Sequence, residues 1–224
     1  MKCARSGTMA RLARAASGRS LCRLLAGVVL LLPVMASLAR AQEPVIRVEE
    51  DWVLILNEPN DNLDSPQFHT TMSPFPNLDS YFAVVSWNYR ETPDFVPGGV
   101  QLQSWNGDER IRSRTIDYGQ LSTSAETITW TQSLETDGAV LLFQVLNGQS
   151  TTWGTFGRDM RIDADANLPD LSGYSPDASV GNSCISYGAN RVDVLMITQV
   201  RRYGPSGLLS VDSKTRVVYM RPAH

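Results

Sequence analysis

The stretch Asp137–Gly157, DGAVLLFQVLNGQSTTWGTFG, decides how this chain folds. Its apolar residues recur at every second position, the period of a strand with one buried face. Asp137-Gly138 and Asn147-Gly148 bracket the run AVLLFQVL, and such pairs are the strongest short-range signal for two-residue hairpin turns. Read that way, the segment and the preceding TITWTQSLET form a three-stranded meander. The register then places Leu146 opposite Gln149, Gln144 opposite Thr151 and Leu142 opposite Trp153. Around the first turn Thr136 lies opposite Ala139, Leu134 opposite Leu141 and Trp130 opposite Val145.

Alternation sorts these strands into two faces. One collects Ile128, Trp130, Leu134, Leu141, Phe143 and Val145 with Phe156, Gly154 and Thr152, and is expected to be core. The other collects Thr129, Thr131, Ser133, Glu135, Leu142, Gln144, Gln149, Thr151 and Thr155 around a single large aromatic, Trp153. Hydroxyls and amides about an indole suit a sugar, whose apolar ring face stacks while its edge hydroxyls need donors and acceptors. Trp153, Gln144, Thr151 and Gln149 are therefore the candidate ligand-binding residues. The competing reading is that Trp153 packs over Leu142 as an ordinary cross-strand pair.

Outward from the meander the same pattern repeats. DWVLILNE, SYFAVVSWNY, GGVQLQSW, ERIRSRTIDYG, SCISYG, RVDVLMITQVRRYG and KTRVVYMRP are short apolar or alternating runs separated by Gly, Pro, Asn and Asp. Many short strands with turn signals at this spacing predict an all-β, antiparallel, two-sheet sandwich of jelly-roll type. Two longer irregular segments, 60–79 and 163–183, are the loops in which function would concentrate.

The first 41 residues read differently. A basic segment with Lys2 and Arg5 runs into LLAGVVLLLPVMASL and ends at Ala39-Arg40-Ala41, the order of a secretory signal peptide. The expectation is a signal over 1–41 and a single sandwich domain over 42–224, secreted to a periplasmic or extracellular space of a bacterial type and not membrane-spanning. The leader holds 7 of the 20 Lys and Arg and none of the 23 Asp and Glu, so the remainder carries 13 − 23, or −10. That balance argues against nucleic acid as a partner, since phosphate binding needs clustered cations. Cys3 and Cys22 lie in the leader, so Cys184 alone remains and no intramolecular disulfide is expected.

Catalytic signatures are weak. After the leader only His69 and His224 are available as imidazole bases, and neither sits in a nucleophile motif. Zinc lacks ligands, but calcium takes oxygen donors. DADAN sets Asp163, Asp165 and Asn167 at alternate positions, a candidate calcium site that lacks the glycine and final glutamate of an EF-hand.

The runs SYFAVVSWNY, GGVQLQSWNG, ITWTQSLETDGAVLLFQVLNGQSTTWGTFG and NRVDVLMITQVRRYG together resemble the concanavalin A-like lectin and glucanase superfamily over about residues 80–205. The resemblance implies two stacked sheets, a saccharide-binding face and a structural calcium. The glucanase pattern E-x-D-x-x-E is matched at Glu49 and Asp51 but meets Leu54 in place of the third carboxylate, which counts against that activity. The leading function is a secreted extracellular module with glycan as ligand. A structural or cell-envelope interaction protein without a small ligand, and a polysaccharide hydrolase or lyase, stay open as alternatives.

Overall fold

In strand β1 (Arg47–Leu56) every even position, Val48 to Leu56, is buried at 1 % exposure or less while the odd positions are half-exposed. One face of this strand is thus core and the other is a surface. The computed structural model of the protein describes residues 43–57, 66–89, 99–119, 121 and 125–222, and within them the same alternation recurs strand by strand.

The further strands are β2 (Gln67–Met72), β3 (Tyr81–Tyr89), β4 (Gly99–Asn106), β5 (Glu109–Ile116), β6 (Thr127–Thr136), β7 (Val140–Ser150), β8 (Gly154–Phe156), β9 (Arg161–Asp165), β10 (Cys184–Tyr187), β11 (Val192–Gly204), β12 (Gly207–Asp212) and β13 (Arg216–Met220). One short helix, α1 (Pro176–Asn182), opens on a proline at its first turn, where the missing N–H costs nothing. The strands form two antiparallel sheets. The eight-stranded sheet runs β12-β11-β1-β6-β7-β8, with β13 also on β11 and β9 also on β7; the five-stranded sheet runs β10-β2-β3-β4-β5. The pair β1/β11 in one sheet is continued by β2/β10 in the other, so a two-strand ribbon wraps across both. The expected all-β two-sheet sandwich is the observed architecture.

The core lies between the sheets. Trp52 and Trp130 stack at 5.9 Å in the larger sheet, and Phe68 and Trp87 stack at 5.5 Å in the smaller one. Trp87 and Trp130 meet across the interior at 4.5 Å. Buried polar atoms in this layer find one another: the Trp87 indole N–H donates to Thr70 Oγ1 at 2.8 Å, Thr70 donates to Gln132, and Trp130 Nε1 donates to Gln132 Oε1 at 3.1 Å. Satisfying these groups removes a penalty of about 1–3 kcal/mol for each.

The meander departs from its predicted register in two ways. The first connection is a four-residue turn, with Thr136 opposite Leu141, held by Asp137 Oδ1 accepting the Ala139 and Val140 N–H groups at 2.9 and 2.8 Å. That slips the pairing by two residues, and an even slip leaves each side chain on its expected face. Ile128, Trp130, Leu134, Leu141, Phe143, Val145 and Phe156 are all buried.

The second departure is larger. Asn147-Gly148 is not a turn: β7 runs through it to Ser150, and Gly148 pairs with Phe156. Asn147 takes a left-handed φ of 52° and the β6–β7 register shifts there, so the two residues form a bulge opposite Trp130. Residues that tolerate left-handed backbone serve a bulge as well as a primed turn. Gly148 is required for a further reason, because a Cβ there would lie 2.3 Å from the Phe156 ring. Gly148→Ala is expected to lower stability by about 1–3 kcal/mol through overpacking, read as a fall in denaturant midpoint.

Cys184 is half-buried in β10, and Cys3 and Cys22 lie outside the described residues. Among the described residues no helix is long and apolar enough to cross a membrane. The segment 1–41, read from the sequence as a signal peptide, and His224 also fall outside them.

Candidate binding face

The actual turn at the end of β7 is Thr151–Trp153, and its geometry is set by Glu126. This buried carboxylate accepts from the Thr152 N–H at 3.0 Å, from Thr152 Oγ1 at 2.8 Å and from the Ser150 hydroxyl, whose oxygen in turn accepts the Trp153 N–H at 3.1 Å. The turn carries Trp153 inward. Its ring lies 6.4 Å from Trp87 and nearly parallel, meets Phe156 edge-on at 5.5 Å, and contacts Tyr118 at 5.6 Å. The indole N–H donates to the Gly119 carbonyl at 3.0 Å. Half-buried and with its one polar atom engaged, Trp153 is packing at the sandwich end.

The other predicted ligand residues do not gather about it. Thr151 is exposed in the turn, and Gln149 is exposed and donates to Thr155 Oγ1 at 3.3 Å. Gln144 is half-buried further along β7, opposite Ser133 and Arg161. Gln144 and Gln149 are five residues apart on one strand, roughly 15–17 Å.

The predicted calcium residues lie along and just beyond β9. Asp163 forms an ion pair with Arg112 at 2.7 Å, Asp165 is exposed opposite Val140, and Asn167 sits beyond the strand with φ 43°. Among the described residues no three His, Cys, Asp or Glu side chains are grouped so as to hold a metal ion.

A different surface combines the chemistry that was sought on the meander. On β4, GVQLQSWN alternates so that Val100 and Leu102 enter the core while Gln101, Gln103 and Trp105 share the outer face of the five-stranded sheet. Cross-strand pairing sets Trp105 beside Phe82 of β3, and the two rings are parallel within 2° at 6.1 Å. The Trp105 indole N–H donates to Gln103 Oε1 at 3.0 Å, and Gln103 donates to Gln101. The two amides, at 8 % and 3 % exposure, therefore fix the orientation of a half-exposed aromatic pair. On the neighbouring edge strand Ser113 lies opposite Gln103 and Thr115 opposite Gln101, both exposed. The sequence signal for this face was the spacing Gln101-x-Gln103-x-Trp105, which reads as a plain strand until its outer neighbours are known.

Two other polar constellations bear on chemistry. On the outer face of β1, Glu49 and Asp51 are both clamped by Arg201: its Nε donates to Glu49 at 3.0 Å and its terminal nitrogens donate to Asp51 at 2.5 and 2.7 Å. Tyr203 and Thr131 hydroxyls donate to the same two carboxylates at 2.9 and 2.7 Å. Both carboxylates are thereby committed to bonds along this strand face. His69 Nδ1 lies 3.0 Å from Ser86 Oγ, a nucleophile–base distance, but the two residues are buried, at 2 % and 1 % exposure.

No protein-family model matches the chain, and no significant match is found among curated proteins or among solved structures.

Proposed function

We propose that this is a secreted binding module of the concanavalin A-like type whose ligand is a glycan, bound on the outer face of the five-stranded sheet. The observation that carries the reading is the half-exposed Phe82–Trp105 pair, parallel at 6.1 Å and held by the Gln103 amide. Such a pair offers apolar area for a pyranose ring at little entropic cost, because the indole is already fixed. Further along the same face Ser113, opposite Gln103, and Thr115, opposite Gln101, are exposed donors and acceptors for ring hydroxyls. The two-sheet antiparallel sandwich supports the superfamily placement, since it is the architecture the resemblance implies.

A glycan array, followed by calorimetry on any sugar that gives signal, tests this with two tryptophan variants. Trp105→Ala is expected to weaken binding at least tenfold, about 1.4 kcal/mol, and to lower the melting temperature less than Trp153→Ala does. Trp153→Ala is expected to retain binding and melt lower. Loss of binding in Trp153→Ala alone would move the site to the meander, and a silent array would remove glycan as the ligand.

A further inference from the structure

Resting on that reading, we propose that Arg110 makes the site selective for an anionic saccharide, one bearing a carboxylate or a sulfate next to the ring that stacks on Trp105. The argument begins with β5, ERIRSRTI, in which Arg110, Arg112 and Arg114 alternate and would all share one face of a regular strand. Arg114 pairs with Leu102 and Arg112 with Ser104, positions that face the inside of the sandwich. From that edge Arg112 reaches Asp163 at 2.7 Å, and Arg114 Nη1 donates to the Arg161 carbonyl at 3.5 Å.

Arg110 does not follow them. The β4–β5 register shifts between Ser104 and Trp105, so Ile111 is the extra residue of a bulge and Arg110 pairs with Trp105 itself. A bulge of this kind re-aims the side chain next to it. Here it transfers one guanidinium from the inner edge to the outer face, beside the indole. Arg112 and Arg114 have partners, whereas Arg110 is exposed and makes no hydrogen bond or ion pair with any described residue. The acidic neighbours Asp108 and Glu109 are also exposed, but Glu109 pairs with Asn106 and so follows the opposite face.

A guanidinium with all its donors available binds a carboxylate or sulfate through two parallel N–H···O bonds, and such charge-assisted pairs are about twice as strong as neutral ones. A neutral sugar would leave that capacity to water. Placement against the aromatic pair matters because the acidic group must lie at the edge of a ring whose face is already stacked. The net charge of −10 over residues 42–224 works against indiscriminate binding of polyanions, so selectivity has to arise from this local contact.

The test compares two pairs of polymers on the purified protein by affinity electrophoresis and calorimetry: polygalacturonate against its fully methyl-esterified form, and dextran sulfate against dextran. The acidic member of one pair is expected to bind at least about tenfold tighter than its neutral counterpart, and the pair that does so tells carboxylate from sulfate. Arg110→Gln is expected to erase that preference and Arg110→Lys to keep part of it. Equal binding of acidic and neutral members, binding confined to neutral glycans, or a preference that survives Arg110→Gln would each overturn the proposal while sparing glycan binding. A protein silent on all four polymers and on the array would sink both readings. A short DNA duplex bound as tightly as the acidic polymer, and lost in Arg110→Gln, would show a general anion site and overturn it as well.

Discussion

Replacing Trp87 with alanine is expected to lower the unfolding free energy by about 4 kcal/mol, near the upper end for a large-to-small core change. Trp87 belongs to the five-stranded sheet but touches Trp130 at 4.5 Å and Phe156 at 5.8 Å in the other, besides Phe68 and Trp153. Its removal opens a cavity between the sheets and leaves four aromatic rings without their common neighbour. It also removes the N–H that donates to Thr70, the residue that bridges to Gln132 across the interior. Trp87→Phe keeps most of the packing and loses the donor, so it is expected to cost less than half as much. Urea unfolding checks both variants, and the slope of free energy on denaturant should stay constant. A Trp87→Ala midpoint equal to wild type would show that the sheets are not coupled through this ring.

The second large effect is in pH. Glu50 is fully buried on the core face of β1, where its carboxyl accepts from Trp52 Nε1 at 2.9 Å and from the Tyr174 hydroxyl at 2.6 Å. Burial outweighs these bonds and pushes it up from 4.5 to about 7. Burial pushes His69 the other way, down from 6.5 to about 4. Each group is therefore favoured neutral in the fold. Glu50 contributes stability that is complete below pH 4.5 and lost as pH rises through 7; His69 contributes stability that is complete above pH 6.5 and lost as pH falls through 4. Between pH 4.5 and 6.5 the two slopes oppose each other and nearly cancel.

Glu50→Gln removes one of them. The variant is expected to gain about 3 kcal/mol between pH 4.5 and 6.5, at about 1.4 kcal/mol for each pH unit, while the wild type stays nearly flat. Denaturant midpoints at four pH values would read this directly. Parallel curves for the two proteins would mean that Glu50 titrates in its ordinary range. Tyr174, from the 163–183 segment, is thereby fixed onto the buried Glu50.

The difference between what could be read in advance and what could not is clearest in β7. Its core face was legible because alternation survives an even slip in register, as happened at Asp137–Val140. The position of Trp153 was not, because Asn147-Gly148 has the same backbone freedom in a bulge as in a turn. The choice between them is made by Phe156, whose ring occupies the space beside Gly148, and by Glu126, which holds Ser150 and Thr152 from just before β6. Neither contact has a local trace in the sequence. A second bulge, at Ser104/Trp105, moved Arg110 to the face that its alternation with Arg112 denies it.

By itself, then, the sequence determined the class of fold and which side chains make the core, because period-two burial and the spacing of Gly, Asn and Asp turn signals are local properties of a strand and its ends. Only the tertiary structure decided which tryptophan is packing and which stands on a surface. That choice depends on where bulges fall and on which strand lies beside which, and both are settled by packing between residues far apart in the chain.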